Sequence, residues 1–355
     1  MNAPARIPLL AIATPDLDDP EQARRIEAFV RASPGGTPFH LPRWLAAVEQ
    51  GTRQRVHCLI AERGETILGL LPLTEIRSRL FGDALVSSGF ATGGGILAED
   101  DRVAEALAEA AWSLAQKLGC PDVELRGGPI PSGWERREGV YADFAKPLAA
   151  SDEEELARIR RRQRAEVRKG LENKLEFRMG TSPRDRDMHY AVYAESVRNL
   201  GSPVFPRALF ESVLDAFGDD ADILTVFHDG TPVASLLNLY HGEAGMPYWG
   251  GGVRAARGLR ANEIMYFEFL NHARRRGCKI ADFGRSKLGS GAYSFKKHWG
   301  FEPEPLVYAG RSLDPEKTRD VNPNNPRYHL MVRIWQHVPL FAANRVGPWL
   351  SRGLG

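Results

Sequence analysis

The same succession of elements is written into this chain twice, and that duplication limits its fold more than any other feature. In the first half, Arg55 to Ala61 reads as a strand, "ERGE" as a turn, and Thr66 to Ile76 as the returning strand. The glycine-rich stretch "ALVSSGFATGGGIL" follows. Asp100 and Asp101 then open an Ala-rich helix, Val103 to Leu118, which Gly119 and Pro121 close. "DVELRGG" is the last strand of the unit. In the second half, Ile223 to Phe227 and Pro232 to Tyr240 flank "HDGT", whose Asp-Gly pair is a hairpin signal. "MPYWGGG", a helix from Asn262 to Arg275 ended by Gly277, and "KIADFG" complete the same order. The residues have diverged, but one α/β unit is read as duplicated.

A length of 355 residues suits two domains. Lys and Arg total 47 against 45 Asp and Glu, a net charge of +2, so any polyanion site is local rather than global. Cys58, Cys120 and Cys278 are far apart and read as buried or idle thiols of a reducing compartment. "MNAPARIPLLAIATPDLDDP" lacks the basic lead and full apolar core of a signal peptide. The apolar-looking tail from Met331 to Leu350 is interrupted by Arg333, Pro339, Arg345 and Pro348 and is too broken to span a bilayer. A cytoplasmic location is expected. No G-x-S-x-G elbow, H-E-x-x-H pair, P-loop or Cys/His cluster is present, and no metal is implied.

Between the halves lies "SDEEELARIRRRQRAEVRKGLENK". A capping box of Ser151 and Glu154 predicts one helix running to Asn173, with Leu156, Ile159, Val167 and Leu171 as its apolar stripe. Its many arginines are either a solvated face or a cationic wall for a phosphorylated or nucleic-acid-linked substrate. Further on, "GGGVRAARGLRANEIMYFEFL" ends a strand in glycines and leads into an apolar helix. Free N–H groups there, beside Arg254, Arg257 and Arg260, could hold an anion. This stretch resembles the pyrophosphate loop of the GNAT acyltransferase superfamily, with Gly258 in the loop; an ordinary helix start is the alternative.

The stretch "FGRSKLGSGAYSFKKHWGF" joins a strand end, a glycine-rich turn and a short helix from Ala292 to Trp299. Helical phasing puts Ala292, Phe295, Lys296 and Trp299 on one side, Tyr293 and Lys297 on another. Lys296 is thus drawn against apolar neighbours, where it either snorkels to water or meets a buried anion. Asp282 or Tyr293 could handle a proton, although Asp282 could equally cap the turn or pair with Arg285. Arg285, Ser286 and Lys287 could hold phosphate or decorate a turn. Tyr248 could line a groove or belong to the core. Arg198 could reach a cleft whose rim is Pro203 and Phe205.

That same stretch resembles the C-terminal signature of FemAB-type transferases, above all the FemAB-related proteins of exosortase (PEP-CTERM) exopolysaccharide systems. The resemblance extends to "FHLPRWLAAVE", "LPLTEIRSRLFGDALVSSGFATGGGIL", "RRRQRAEVRKGL" and "NPNNPRYHLMVRIWQHVPL", nearly the whole chain. It implies two tandem GNAT-like domains with mixed central sheets flanked by helices, at 1–150 and 151–310, followed by a partly helical tail at 311–355. It implies an acyltransferase that needs no tightly bound cofactor and moves an acyl or aminoacyl group to an amine. The acceptor would be a nucleotide- or lipid-linked sugar or cell-envelope precursor, and Lys296 would lie in the active site. Aminoacyl-tRNA is the donor of the FemAB enzymes; the long helical insertion of some members has no counterpart here, which leaves acyl-CoA as the alternative. A binding or scaffold protein of the polysaccharide machinery is the non-enzymatic alternative. The basic, aromatic tail would either dock on the second domain or touch the inner face of the membrane.

Overall fold

The computed structural model describes residues 9–314, residue 319 and residues 326–355, with backbone only at 326–329. The extreme N-terminus and the Pro- and Asn-rich part of the tail, both included in the sequence reading, lie outside the described residues.

The first half runs β1 (Leu10–Ala13), α1 (Pro20–Ala32), α2 (Pro42–Thr52), β2 (Arg55–Arg63), β3 (Thr66–Ile76), β4 (Ala84–Ser87), β5 (Leu97–Ala98), α3 (Asp101–Leu118), β6 (Asp122–Arg126), β7 (Glu135–Asp143) and β8 (Ala145–Pro147). Two helices, α4 (Asp152–Arg158) and α5 (Arg161–Glu172), make the link. The second half repeats the order with β9 (Leu175–Gly180), α6 (Pro183–Leu200), α7 (Arg207–Phe217), β10 (Ala221–His228), β11 (Thr231–His241), β12 (Ala244–Gly252), α8 (Ala256–Leu259), α9 (Ala261–Arg275) and β13 (Ile280–Asp282). β14 (Ser286–Lys287), α10 (Gly291–His298), β15 (Glu304–Ser312), α11 (Pro326–His337) and α12 (Leu340–Ser351) complete the chain.

Local chemistry accounts for these boundaries. The Asp100 carboxylate accepts the Val103 N–H at 2.9 Å and starts α3, and Gly119 ends it in the left-handed region at φ 69°. Asp229 and Gly230, at φ 47° and 72°, turn β10 into β11. The single helix expected from Ser151 to Asn173 is broken in two. Ile159 leaves the helical region because its side chain is buried with Phe144, Val167 and Trp299. A straight helix would keep Ile159 and Val167 on one stripe but could not lower Ile159 into that core.

Two mixed sheets result, in the orders β1-β2-β3-β4-β6-β15-β7-β14, with β5 on β3, and β8-β13-β12-β11-β10-β9. The halves exchange strands. β15 inserts between β6 and β7 of the first sheet, and β8 adds to β13 of the second. Strand pairing therefore crosses the boundaries drawn at 150/151 and 310/311. One apolar cluster also spans both halves: Trp44 stacks edge-on to Tyr248 at 5.6 Å and to Phe217 at 6.3 Å. Among the described residues no helix is long and apolar enough to cross a membrane.

Candidate active site

Parallel strands β12 and β13 pair only at Ala244–Ile280 and Gly245–Ala281. β12 continues to Gly252 while β13 stops at Asp282, so the two strands open into a wedge. A register shift at Leu237/Asn238 bulges β12 at Tyr248, because Leu237 faces Trp249 and Asn238 faces Pro247. Backbone N–H groups of β12 beyond Gly245 have no partner strand on the β13 side, which suits them to a carbonyl oxygen. A cavity of about 200 Å³ occupies the wedge, lined by Tyr248, Gly250, Tyr266, Arg285, Ala292 and Lys296 among others.

The corresponding wedge of the first half is closed at its base. β4 and β6 pair from Ala84–Asp122 to Val86–Glu124. Beyond them the buried Arg126 donates to the carbonyls of Ala91 at 3.3 Å and Gly355 at 2.8 Å. The loop at Gly95 is packed so tightly that an added Cβ would lie 1.9 Å from the Gly127 carbonyl. Beyond that base a larger cavity of about 620 Å³ opens between the halves, walled mostly by the first half, with His40, Gly95, Arg126 and Asp143, and closed by Asp282 and Leu306 of the second. Asp282 borders both cavities.

The chain crosses from one sheet to the other at two places, and each carries the tripeptide Ala-Asp-Phe: Ala142–Phe144 between β7 and β8, and Ala281–Phe283 after β13. The two segments run antiparallel, with the Phe283 N–H donating to the Phe144 carbonyl at 2.8 Å. This brings Asp143 near Asp282. Burial, reinforced by the Asp143 charge, pushes the Asp282 carboxyl up to about 7, although it accepts the Gly284 N–H at 2.8 Å. Burial raises Asp143 as well. Gly284 turns the chain at φ 59°, a left-handed position that favours glycine.

Lys296 reaches this crossing from α10. Its ammonium donates to the carbonyls of Phe283 at 2.5 Å, Gly284 at 2.8 Å and Arg285 at 3.0 Å. Burial pulls its pKa down to about 8 against the opposing pull of Asp143 and Asp282. All three ammonium protons are thus engaged by backbone, so Lys296 fixes the 283–285 turn and acts on the cavity through its field.

Of the other residues singled out in the sequence, Tyr248, Arg285 and Ser286 also border the wedge. The Tyr248 hydroxyl donates to the Phe90 carbonyl at 2.7 Å, so its ring is both core and wall. Ser286 is buried with its hydroxyl unpartnered. Tyr293 packs edge-on against Phe144 at 5.4 Å and lines neither cavity, and Lys287 sits on β14 away from both. Arg198 donates to the Gln336 carbonyl at 3.0 Å and so anchors α11 instead of reaching the cleft. Arg254 and Arg257 are exposed and form no ion pair among the described residues. Arg260, left-handed at φ 60°, pairs with Glu166 of α5 and is already engaged. Gly258 lies inside α8 with open space around it, so the loop does not require glycine there. Asp143 and Arg126 were missed by the sequence reading; the repeated Ala-Asp-Phe tripeptide was the signal for the first.

Residues 157–297 match the family model described as Acetyltransferase (GNAT) domain. Among curated proteins, none matches the chain by sequence. The fold resembles that of FemX (TM-score 0.64, 15% identity, 84% of this chain and 96% of that one). It also resembles a tandem GNAT protein from the clavulanic acid biosynthesis pathway (0.57, 13%, 87% and 100%). A third likeness is to the C-terminal domain of a putative lysylphosphatidylglycerol synthetase from Agrobacterium fabrum (0.56, 13%, 81% and 91%). Duplicated unit, open second wedge and structural likenesses agree: the chain has the tandem GNAT fold, with an acetyltransferase (GNAT) domain matched in its second half.

Proposed function

We propose that the enzyme transfers an acyl or aminoacyl group from an activated donor in the β12/β13 wedge to an amine held at Asp282, where the wedge meets the cavity between the halves. The observation that carries this reading is the position of Asp282, which alone among the described acids borders both cavities and holds its carboxyl near neutrality. The acceptor nitrogen attacks the donor carbonyl carbon, forming the C–N bond and an oxyanion that faces the unpaired β12 amides. Asp282 takes the amine proton as that bond forms and returns it to the leaving thiolate or ribose oxygen as the C–S or C–O bond breaks.

The donor is acyl-CoA or aminoacyl-tRNA; exposed Arg254 and Arg257, which follow the end of β12, suit the phosphates of either. The acceptor is a lipid- or nucleotide-linked sugar or envelope precursor. The lysylphosphatidylglycerol synthetase neighbour, whose name joins an aminoacyl group to a phospholipid, supports the lipid option. A role in exopolysaccharide production at the cytoplasmic membrane face rests on the FemAB resemblance. Asp282→Asn is expected to lower kcat about 100-fold or more, with an unchanged circular dichroism spectrum. Undiminished transfer by the folded variant, assayed with labelled acyl-CoA and aminoacyl-tRNA against an aminated acceptor, would overturn the assignment.

A further inference from the structure

Arg285 has two faces. One borders the β12/β13 wedge, and the other closes a separate cavity of about 320 Å³ beneath α11 and α12. That second cavity is apolar along its length, with Phe81, Tyr141, Pro203, Val332, Trp335 and Leu354 in its walls. Its rim includes Met331, which is 45% exposed, so the cavity reaches the surface.

The guanidinium at the inner end is short of partners. It donates to the Tyr308 hydroxyl and lies over the Tyr141 ring at 4.8 Å, yet it forms no ion pair among the described residues. Glu124 and Asp143 act on it through their field but without direct contact, so its fork of five donors keeps room for an anion that binds it directly. An apolar channel ending on such a cation has the polarity of an amphiphile turned head inward.

The surface around the channel matches a source for such a molecule. From Pro326 to Gly355 there is no Asp or Glu, while Arg333 and Arg345 face outward. Phe341 and Trp349 stand with Arg345 at four-residue spacing on α12, 80% and 65% exposed, and Ile334 of α11 is 58% exposed. Apolar and cationic side chains without acids suit the surface of an anionic bilayer.

Building on the transferase reading above, we infer that the cavity beneath α11 and α12 binds the hydrocarbon chain of a membrane lipid phosphate, whose phosphate is held by Arg285 beside the wedge. The acceptor class is thereby lipid-linked, drawn from the bilayer rather than from a soluble nucleotide.

Isothermal titration of the intact protein with decyl phosphate, decanol and inorganic phosphate, below micelle formation, tests this. Decyl phosphate is expected to bind at least about tenfold more tightly than either of the others, since only it engages both chain cavity and cation. Arg285→Gln should remove about tenfold of the decyl phosphate affinity and leave decanol binding unchanged, which a purely structural arginine would not do. Met331→Asp, at the exposed rim, should weaken both chain-bearing probes. Equal affinity for inorganic and decyl phosphate, or wild-type binding of decyl phosphate by Arg285→Gln, would overturn the inference. Asp282→Asn should bind decyl phosphate like wild type. Loss of transfer with retained binding therefore concerns the catalytic reading, and absent binding with intact transfer sinks the lipid site alone.

Discussion

Asp282 and Lys296 have pKa values displaced toward each other, and the window between them sets the pH response. Catalysis through Asp282 needs the ionised carboxylate, so kcat is expected to rise through about pH 7. The 283–285 turn is held by the charged ammonium of Lys296, so activity should fall above about pH 8. A narrow bell between these values is expected from a pH–rate profile, and Lys296→Met should lose its alkaline limb. Stability follows a separate rule. The Asp282 pKa is raised above its unfolded value of about 3.9, so its contribution is fully present below that pH and is lost as pH rises through about 7. Asp282→Asn should therefore flatten the decline of the urea midpoint across that range. Helical phasing in the sequence separated Lys296 from Lys297. It could not show that three backbone carbonyls wait for Lys296, since those belong to a turn whose path depends on both sheets. Asp143 was hidden for the same reason: its neighbour is set by strand pairing across 139 positions of chain, the offset from Asp143 to Asp282.

At the scale of elements, the junction of β8, α4 and α10 rests on one buried ion pair. Lys146 and Glu155 meet at 2.6 Å, and Glu155 is fully buried. Glu155 also accepts the Ala149 N–H at 2.9 Å, and the Lys146 ammonium lies 4.8 Å from the Phe301 ring centre. Glu155→Ala leaves a buried ammonium without its counterion and is expected to cost about 3–5 kcal/mol, read as a lower urea midpoint at unchanged m. Lys146→Met combined with Glu155→Leu should recover most of that loss, because two apolar side chains leave no charge uncompensated. The hairpins and the helices α3 and α9 were legible in the sequence because turn residues and apolar periodicity are local signals. The break at Ile159 was not, because it answers to the core beneath it. Nor was the engagement of Arg260, whose partner Glu166 belongs to a different element.

On the scale of the whole molecule, the duplicated unit was readable and the exchange of strands was not. Repetition of element order is visible along a chain, whereas the placement of β15 between β6 and β7 is a choice of partner made in three dimensions. Residues 9–150 made alone lack β15 and are expected to bind a hydrophobic dye and aggregate. Adding residues 151–355 before refolding should restore a single species in size-exclusion chromatography. The lent strand has a further consequence for biogenesis. As the chain leaves the ribosome, β6 and β7 emerge first and must wait with open edges until residue 312 has been synthesised. The first sheet closes only after the 169 residues from Phe144 to Ser312 have been added, and over that interval its open edges invite chaperones.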